Sequence, residues 1–429
     1  MKTQTGCWGI AAVVVAMVLS QCPVNAFAQI KAGTFISWQN AADVQELVPP
    51  GVYFKVLRGM TMKIMPPRRV SWPPPYWEAT EKYSGQVRLG YDRRTLLGYV
   101  AGQPFPLLDS NDPDFAVKIM WNHSFRPIAS DDYDLRFFDC ESVQTGPGTP
   151  VNVIQYIQIG HYAGYSLVGR TEVNPLPVDP DFKISGRLWA FALYPELAPA
   201  VERGNGILRY RYADPDRADD AWSWNPGTRR LRRLNEGFLS TAVGAQAFDP
   251  DHYSGFNPKT EEYDYRFLGE NNMLAVVHAE NSTEVQCTTD GGGSACPEAW
   301  ESRHLYAVEA TPRPSRLTQA LHAKSVVYVD SESWFAPYVD TYSRDGQLFQ
   351  NVLFWLAYRD RAVPEARVAI YPFRRQFVVG AARTDLQTGF ATMCYLPGIE
   401  TPERECWYVN MGAVTSDFFT TRAMSNAAP

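Results

Sequence analysis

With 429 residues, of which 45% are hydrophobic and only 20% charged, the chain has ample material for a large core and is not a disordered one. Its 46 acidic residues outnumber 40 basic ones, for a formal net charge of −6, which argues against a nucleic-acid partner.

The chain opens with Lys2, the apolar run Ile10 to Leu19 and the small-residue pattern Ala26-Phe27-Ala28. That order is a secretory signal, too short to span a bilayer for good, with cleavage expected after Ala28. Leu19-Ser20-Gln21-Cys22 offers acylation of Cys22 as the alternative, although bulky Gln21 stands where that processing site wants a small residue. No later stretch approaches the roughly 18 uninterrupted apolar residues of a membrane helix, so a soluble or peripheral exported protein is expected. No linker or charge block divides the rest, and residues 29–429 are expected to form one β-rich domain, with 29–80 its less regular N-terminal segment.

Trp38 to Val48 has helical spacing and runs into Pro49-Pro50-Gly51, after which Val52 to Leu57 and Met60 to Met65 read as strands. Met60, Met62 and Met65 could serve copper as soft ligands, but they are also ordinary core filler. Trp72 to Trp77, with three prolines, is expected to lie extended across the surface. Asp112 and Pro113 open a short helix in which Phe115, Ile119 and Met120 share a face. Asp134 to Val143, Val151 to Gly160 and Lys183 to Leu193 read as strands, as do Tyr263 to Phe267 and Met273 to His278. The last third continues with His304 to Thr311, Ser325 to Val329, Trp334 to Tyr342, Leu348 to Tyr358 and Ala366 to Tyr371, joined by turns such as Asp345-Gly346. Successive strands at short spacing with few helices predict a mainly β fold, one large antiparallel sheet that curls on itself.

The most informative stretch is Gly204 to Leu234. Leu208, Tyr210 and Tyr212 alternate with Arg209 and Arg211, and Trp222 and Trp224 flank Ser223, so two neighbouring strands each carry an apolar face. Asn225-Pro226-Gly227-Thr228 then turns the chain into Arg229, Arg230, Leu231, Arg232 and Arg233. The expected ligand surface is Tyr210, Tyr212, Trp222 and Trp224, with Arg230 and Arg232 taking a carboxylate or phosphate. The plainer account pairs the arginines with Asp216, Asp219 and Asp220. Asp214 to Asp220 could also present oxygens to calcium, but lacks the glycine and terminal glutamate of a helix-loop-helix site.

Five cysteines follow the signal. Cys287 with Cys296 and Cys394 with Cys406 each flank a short turning loop and are expected to form two local disulfides, leaving Cys140 as a buried thiol. Neither pair has C-x-x-C spacing, and the six histidines have no H-x-H or H-E-x-x-H spacing, so no metal site is expected. There is no G-x-S-x-G, Walker or dinucleotide fingerprint and hence no cofactor motif. Acids near Trp334, namely Asp330, Glu332 and Asp340, keep open an envelope glycan hydrolase that uses a carboxylate pair.

Three groups of residues carry a family resemblance: Trp224 to Arg233; Ala101 to Pro106 with Asp112-Pro113 and Trp121-Asn122; and Val326 to Asp330 with Trp334 and Gly346-Gln347-Leu348. In these the chain resembles the domain-of-unknown-function 1329 family, itself similar to the outer-membrane lipoprotein-sorting proteins LolA and LolB. The resemblance implies an incomplete barrel with helices over its open mouth, a concave apolar interior for an acyl chain or other lipid-like ligand, and the periplasm of a double-membrane bacterium. It also implies work beside an outer-membrane protein or an exporter of the resistance-nodulation-division type. The region before residue 80 and the Cys287 to Cys296 loop depart from the family pattern. The resulting expectation is a non-enzymatic carrier of a hydrophobic ligand, with the hydrolase and a transporter-docking scaffold as alternatives.

Overall fold

The computed structural model describes residues 30–144, 152–234, 251–280, 298–314, 322–361, 369–395 and 407–427. Cys287, Cys296 and Cys406, residues 1–28 expected to be a signal, and Ala366 to Val368 lie outside them.

Two prolines start helices where the sequence reading placed extended chain. Pro50 begins α1 (Pro50–Leu57) and Pro74 begins α2 (Pro74–Tyr83), each at a first-turn position. There its missing N–H leaves no bond unmade and its fixed φ suits the helix. The expected strand over Val52 to Leu57 is thus a helix, and only Trp72 and Pro73 of the expected surface strap stay extended. Gly51 is obligatory at this start, since a Cβ there would lie 2.2 Å from Asp340 Oδ1. Its N–H donates instead to Asp340 Oδ2 at 3.0 Å. Trp38–Leu47 is a 3-10 helix, and α3 (Phe115–Ser124) buries Phe115, Ile119 and Met120 as expected, but it starts at Phe115 with Asp114 as its N-cap rather than at Pro113, and the Asp112 carboxylate accepts from the Asp114 N–H.

The strands are β1 (Phe35–Ile36), β2 (Met62–Met65), β3 (Arg88–Leu89), β4 (Leu96–Leu97), β5 (Asp132–Gln144), β6 (Asn152–Ser166), β7 (Arg187–Leu193) and β8 (Glu196–Ala198). They continue with β9 (Gly206–Tyr212), β10 (Asp220–Asn225), β11 (Arg230–Leu234), β12 (Tyr263–Ala275), β13 (Glu298–Pro312) and β14 (Lys324–Asp330). The last are β15 (Tyr338–Tyr342), β16 (Leu348–Arg359), β17 (Arg375–Asp385), β18 (Phe390–Tyr395) and β19 (Trp407–Val409). Seventeen of them form one sheet, and β3 and β4 form a separate pair.

From β12 the sheet runs through β13, β14, β15, β16, β17 and β18 to β5, then through β6, β7 and β9 to β10 and β11. These neighbours are all antiparallel; β2 alone joins in parallel, along the start of β13. Among the described residues β11 and β12 are edges that do not pair with each other, so the sheet curls without closing. The mainly β incomplete barrel expected from the sequence is therefore what the chain forms, and no helix among the described residues is long and apolar enough to cross a membrane.

Local differences have simple causes. Tyr263 to Phe267 and Met273 to His278 belong largely to one strand, β12, which bulges at Leu268 and carries the polar Glu270 to Asn272 in register with Tyr306 to His304. Ala369 to Tyr371 form no strand, and the unexpected β17 follows in their place.

The described disulfide links Cys140 to Cys394. The expected Cys394–Cys406 pairing and the free Cys140 thiol are therefore corrected. Local loop length misled the sequence reading. Cys140 and Cys394 are 254 positions apart but face each other in the β5–β18 register, with Cα atoms 4.0 Å apart, within reach of a cross-strand bridge. Non-reducing peptide mapping is expected to recover a peptide joining Cys140 and Cys394. Replacing the pair by Ser should lower the unfolding free energy by about 2 to 5 kcal/mol in calorimetry.

Candidate ligand-binding cavity

A cavity of about 230 Å³ lies inside the curl, between the central strands and a roof made by the end of α3 and residues 251–258. That volume is roughly eight times the space a water molecule takes in the liquid. Strand alternation explains most of the wall. Trp189, Phe191 and Leu193 of β7 point inward, and so do Arg209 and Arg211 of β9. In β5 the alternation is broken at Phe137, whose φ is 53°. Tyr133 and Leu135 before it and Phe138 and Cys140 after it then all face the cavity. Gly164 of β6, opposite Tyr133 in the register, makes room for that ring: an added Cβ would sit 2.3 Å from Tyr133 Cε1.

The rings form one connected set. Tyr162 lies 5.5 Å from Tyr133, 5.6 Å from Phe138 and 5.1 Å from Phe191, centroid to centroid, and Phe191 lies 5.7 Å from Tyr253 of the roof. Most of these contacts are tilted or edge-to-face, the arrangement the ring quadrupoles favour. Burial pushes the Tyr162 hydroxyl up to about 12, and it donates to Ser254 Oγ at 3.0 Å.

Three arginines tie the roof to the sheet and to α3. Arg209 Nη2 reaches Asp251 at 2.8 Å and Asp219 at 2.7 Å, and Arg211 reaches Asp219 at 2.9 Å and the Asn257 carbonyl at 2.7 Å. Burial alone would raise the Asp219 carboxyl, but Arg211 and Arg209 outweigh it and hold the group at about 2. Arg126 donates to the carbonyls of His123 at 2.8 Å and Ser254 at 2.6 Å. Under it, the fully buried His123 places its ring nitrogens 2.8 Å from the Trp334 carbonyl and 3.1 Å from that of Phe256. Burial and the Arg126 guanidinium push its pKa down to about 3, more than the two carbonyls raise it.

The ligand residues expected from the sequence lie elsewhere. Tyr210, Trp222 and Trp224 are on the other face of the β9–β10 pair, packed with Phe419 and Met424 near the C-terminal helix Thr421–Asn426. The Tyr210 hydroxyl donates to the Phe419 carbonyl, and that of Tyr212 to Asp220 at 2.6 Å. Arg230 and Arg232 are exposed on edge strand β11. The sequence identified the strands correctly and their inner face wrongly, because this face carries arginines that are paired with Asp219 of the adjoining turn and with Asp251 of the roof. Asp220 does pair with Arg233, as the plainer account had it. Asp219 belongs to Arg209 and Arg211 instead, which leaves it engaged rather than offered to calcium.

The carboxylates considered for sugar hydrolysis are also engaged. Asp330 and Glu332 both bind Arg303, at 2.7 and 2.8 Å, while Asp340 is fully buried at the start of α1 and accepts from Asn351 at 2.7 Å. No Asp or Glu is among the described residues that line the cavity. Met60 and Met62 are core residues, and no group of three His, Cys, Asp or Glu among the described residues could hold a metal ion.

Residues 35–425 match the family described as Protein of unknown function (DUF1329). The chain belongs to that family. Among solved structures it is similar to a candidate outer membrane lipoprotein-sorting protein domain from Vibrio parahaemolyticus, at 14% identity and TM-score 0.47, over 72% of this chain and 98% of that one. It is also similar to a DUF1329 family protein from Desulfovibrio piger, at 14% identity and TM-score 0.43, over 69% and 92% of the two chains. A LolA superfamily protein from Nitrosomonas europaea follows at 13% identity and TM-score 0.35, over 68% and 92%. No curated protein matches. The DUF1329 resemblance seen in the sequence is thus a family membership.

Arg126, Tyr133, Tyr162, Trp189 and Phe191 were not singled out in the sequence, since nothing local marks which face of a strand turns inward. Two tests follow. His123 is neutral in the fold, whereas the unfolded chain binds its proton below pH 6.5. Its contribution is therefore fully present above pH 6.5 and lost as pH falls towards 3. Denaturant titrations of His123→Gln should show a shallower loss of stability over that window than wild type. Gly164→Ala should push the Tyr133 ring into the cavity and weaken uptake of an apolar fluorophore by about tenfold, the size expected from losing one or two buried methylene contacts.

Proposed function

We propose that this DUF1329 protein is a non-enzymatic carrier of the cell envelope that shields a lipid-like ligand inside its curled sheet. The supporting observation is the cavity itself: a concave, mainly apolar wall of Tyr, Phe, Trp and Leu side chains whose described polar groups are neutral or cationic. Removal of the signal segment would deliver the chain to the periplasm, where a molecule with a long apolar tail cannot travel unaided. Each buried methylene is worth about 0.8 kcal/mol, so about ten reach the free energy of a micromolar complex before the cost of association is counted. No catalytic group is needed for such binding. The exporter or outer-membrane partner that the family resemblance implies would take the ligand on from here.

Native mass spectrometry of protein purified from its own envelope is expected to find an apolar molecule bound one to one. Substituting Trp for Ala129, which lines the cavity, should lower its occupancy at unchanged melting temperature. Recovery of wild type and variant equally loaded would place the ligand elsewhere, and recovery of wild type always empty would end the carrier reading.

A further inference from the structure

The charges around the cavity do not balance. Arg209 and Arg211 are matched by the carboxylates of Asp219 and Asp251. Arg126 also lines the cavity, yet among the described residues it has no carboxylate partner. Its donors go to neutral oxygens only: the carbonyls of His123 and Ser254, and Asn257 Oδ1 at 3.4 Å from both terminal nitrogens. Among the described residues its Nε–H has no acceptor. Burial lowers its pKa to about 10, which still leaves the guanidinium charged at neutral pH. A cation among aromatic rings, with one donor orphaned and no counter-ion among the described residues, is costly to a fold unless something else supplies the negative charge. Such departures from the usual pairing concentrate where a ligand completes the structure.

Lining the cavity beside this charge are the hydroxyls of Tyr133, Tyr162 and Ser254, with Tyr162 donating to Ser254 Oγ at 3.0 Å. The cavity therefore offers a long apolar wall with one positive, donor-rich end. We propose that its ligand is a single-chain amphiphile with one anionic end, a carboxylate or a phosphate, neutralised by Arg126 and hydrogen-bonded by the neighbouring Tyr133 and Ser254 hydroxyls. The volume of about 230 Å³ favours one chain over a two- or three-chain lipid. This inference rests on the carrier reading and goes beyond it, since an apolar cavity alone would accept neutral and anionic chains alike.

The test compares chains of equal length that differ only at the head: palmitate, hexadecyl phosphate and hexadecanol, each used to displace the apolar fluorophore N-phenylnaphthylamine from the full chain at low salt. Palmitate, hexadecyl phosphate or both are expected to displace it at about tenfold or more lower concentration than hexadecanol, the range for a hydrogen bond to a charged group. Which anion leads identifies the head. In Arg126→Gln the affinity for the anions should fall towards that of the alcohol, and Arg126→Lys should keep part of the preference. Arg126 also pins the roof, so if the Gln variant fails to fold the wild-type series decides alone. Equal displacement by all three in wild type overturns the anionic-ligand inference and leaves the carrier reading standing. Displacement by none overturns both.

Discussion

The cavity exists because arginines on the wall and at the end of α3 hold a roof over it. Residues 251–258 contribute no strand to the sheet, and their fixed points are Asp251 on Arg209, the Ser254 carbonyl on Arg126 and the Asn257 carbonyl on Arg211. Without these bonds the apolar wall beneath would be open to water or filled by collapse. Charged groups buried this way are weak sources of net stability, because desolvation offsets much of their attraction. What they provide is a defined geometry: the roof stands off the wall by the length of an arginine side chain, and an interior space is left that aliphatic side chains would have filled.

The rest of the sheet has the opposite design. Around Trp300, Trp355, Phe354 and Phe377 the structure is packed solid, and these side chains are essentially unexposed. The disulfide between Cys140 and Cys394 lies where these regions meet, on the β5–β18 seam that joins the two halves of the strand order. A bond at that seam constrains the curl itself, since β5 and β18 come from opposite ends of the chain. The outer face of β9 and β10 is closed by the C-terminal helix, which takes up the aromatic face that from sequence looked free for a ligand.

Family membership and cavity bear on function in different ways. The family description carries no activity, so chemistry has to come from the site. There the described lining holds cations, hydroxyls and rings but no carboxylate. The acids that made hydrolysis worth weighing are engaged in structural duties: Asp330 and Glu332 on Arg303, and Asp340 at the start of α1.

Composition and periodicity alone determined that this is a mainly β chain with one large sheet, because two-residue alternation and turn residues are local properties of the sequence. They also placed β9, β10 and the hairpin into β11, where alternation and an Asn-Pro-Gly turn coincide. Tertiary structure alone decided which face of each strand is inside. The alternation of Leu208, Tyr210 and Tyr212 with Arg209 and Arg211 looks the same from either side, and the arginines go inward only because Asp219 and Asp251 meet them there. The same holds for Cys140 and Cys394, and for the proline-led helices, where a partner or a first-turn position set by distant packing outweighed the local signal.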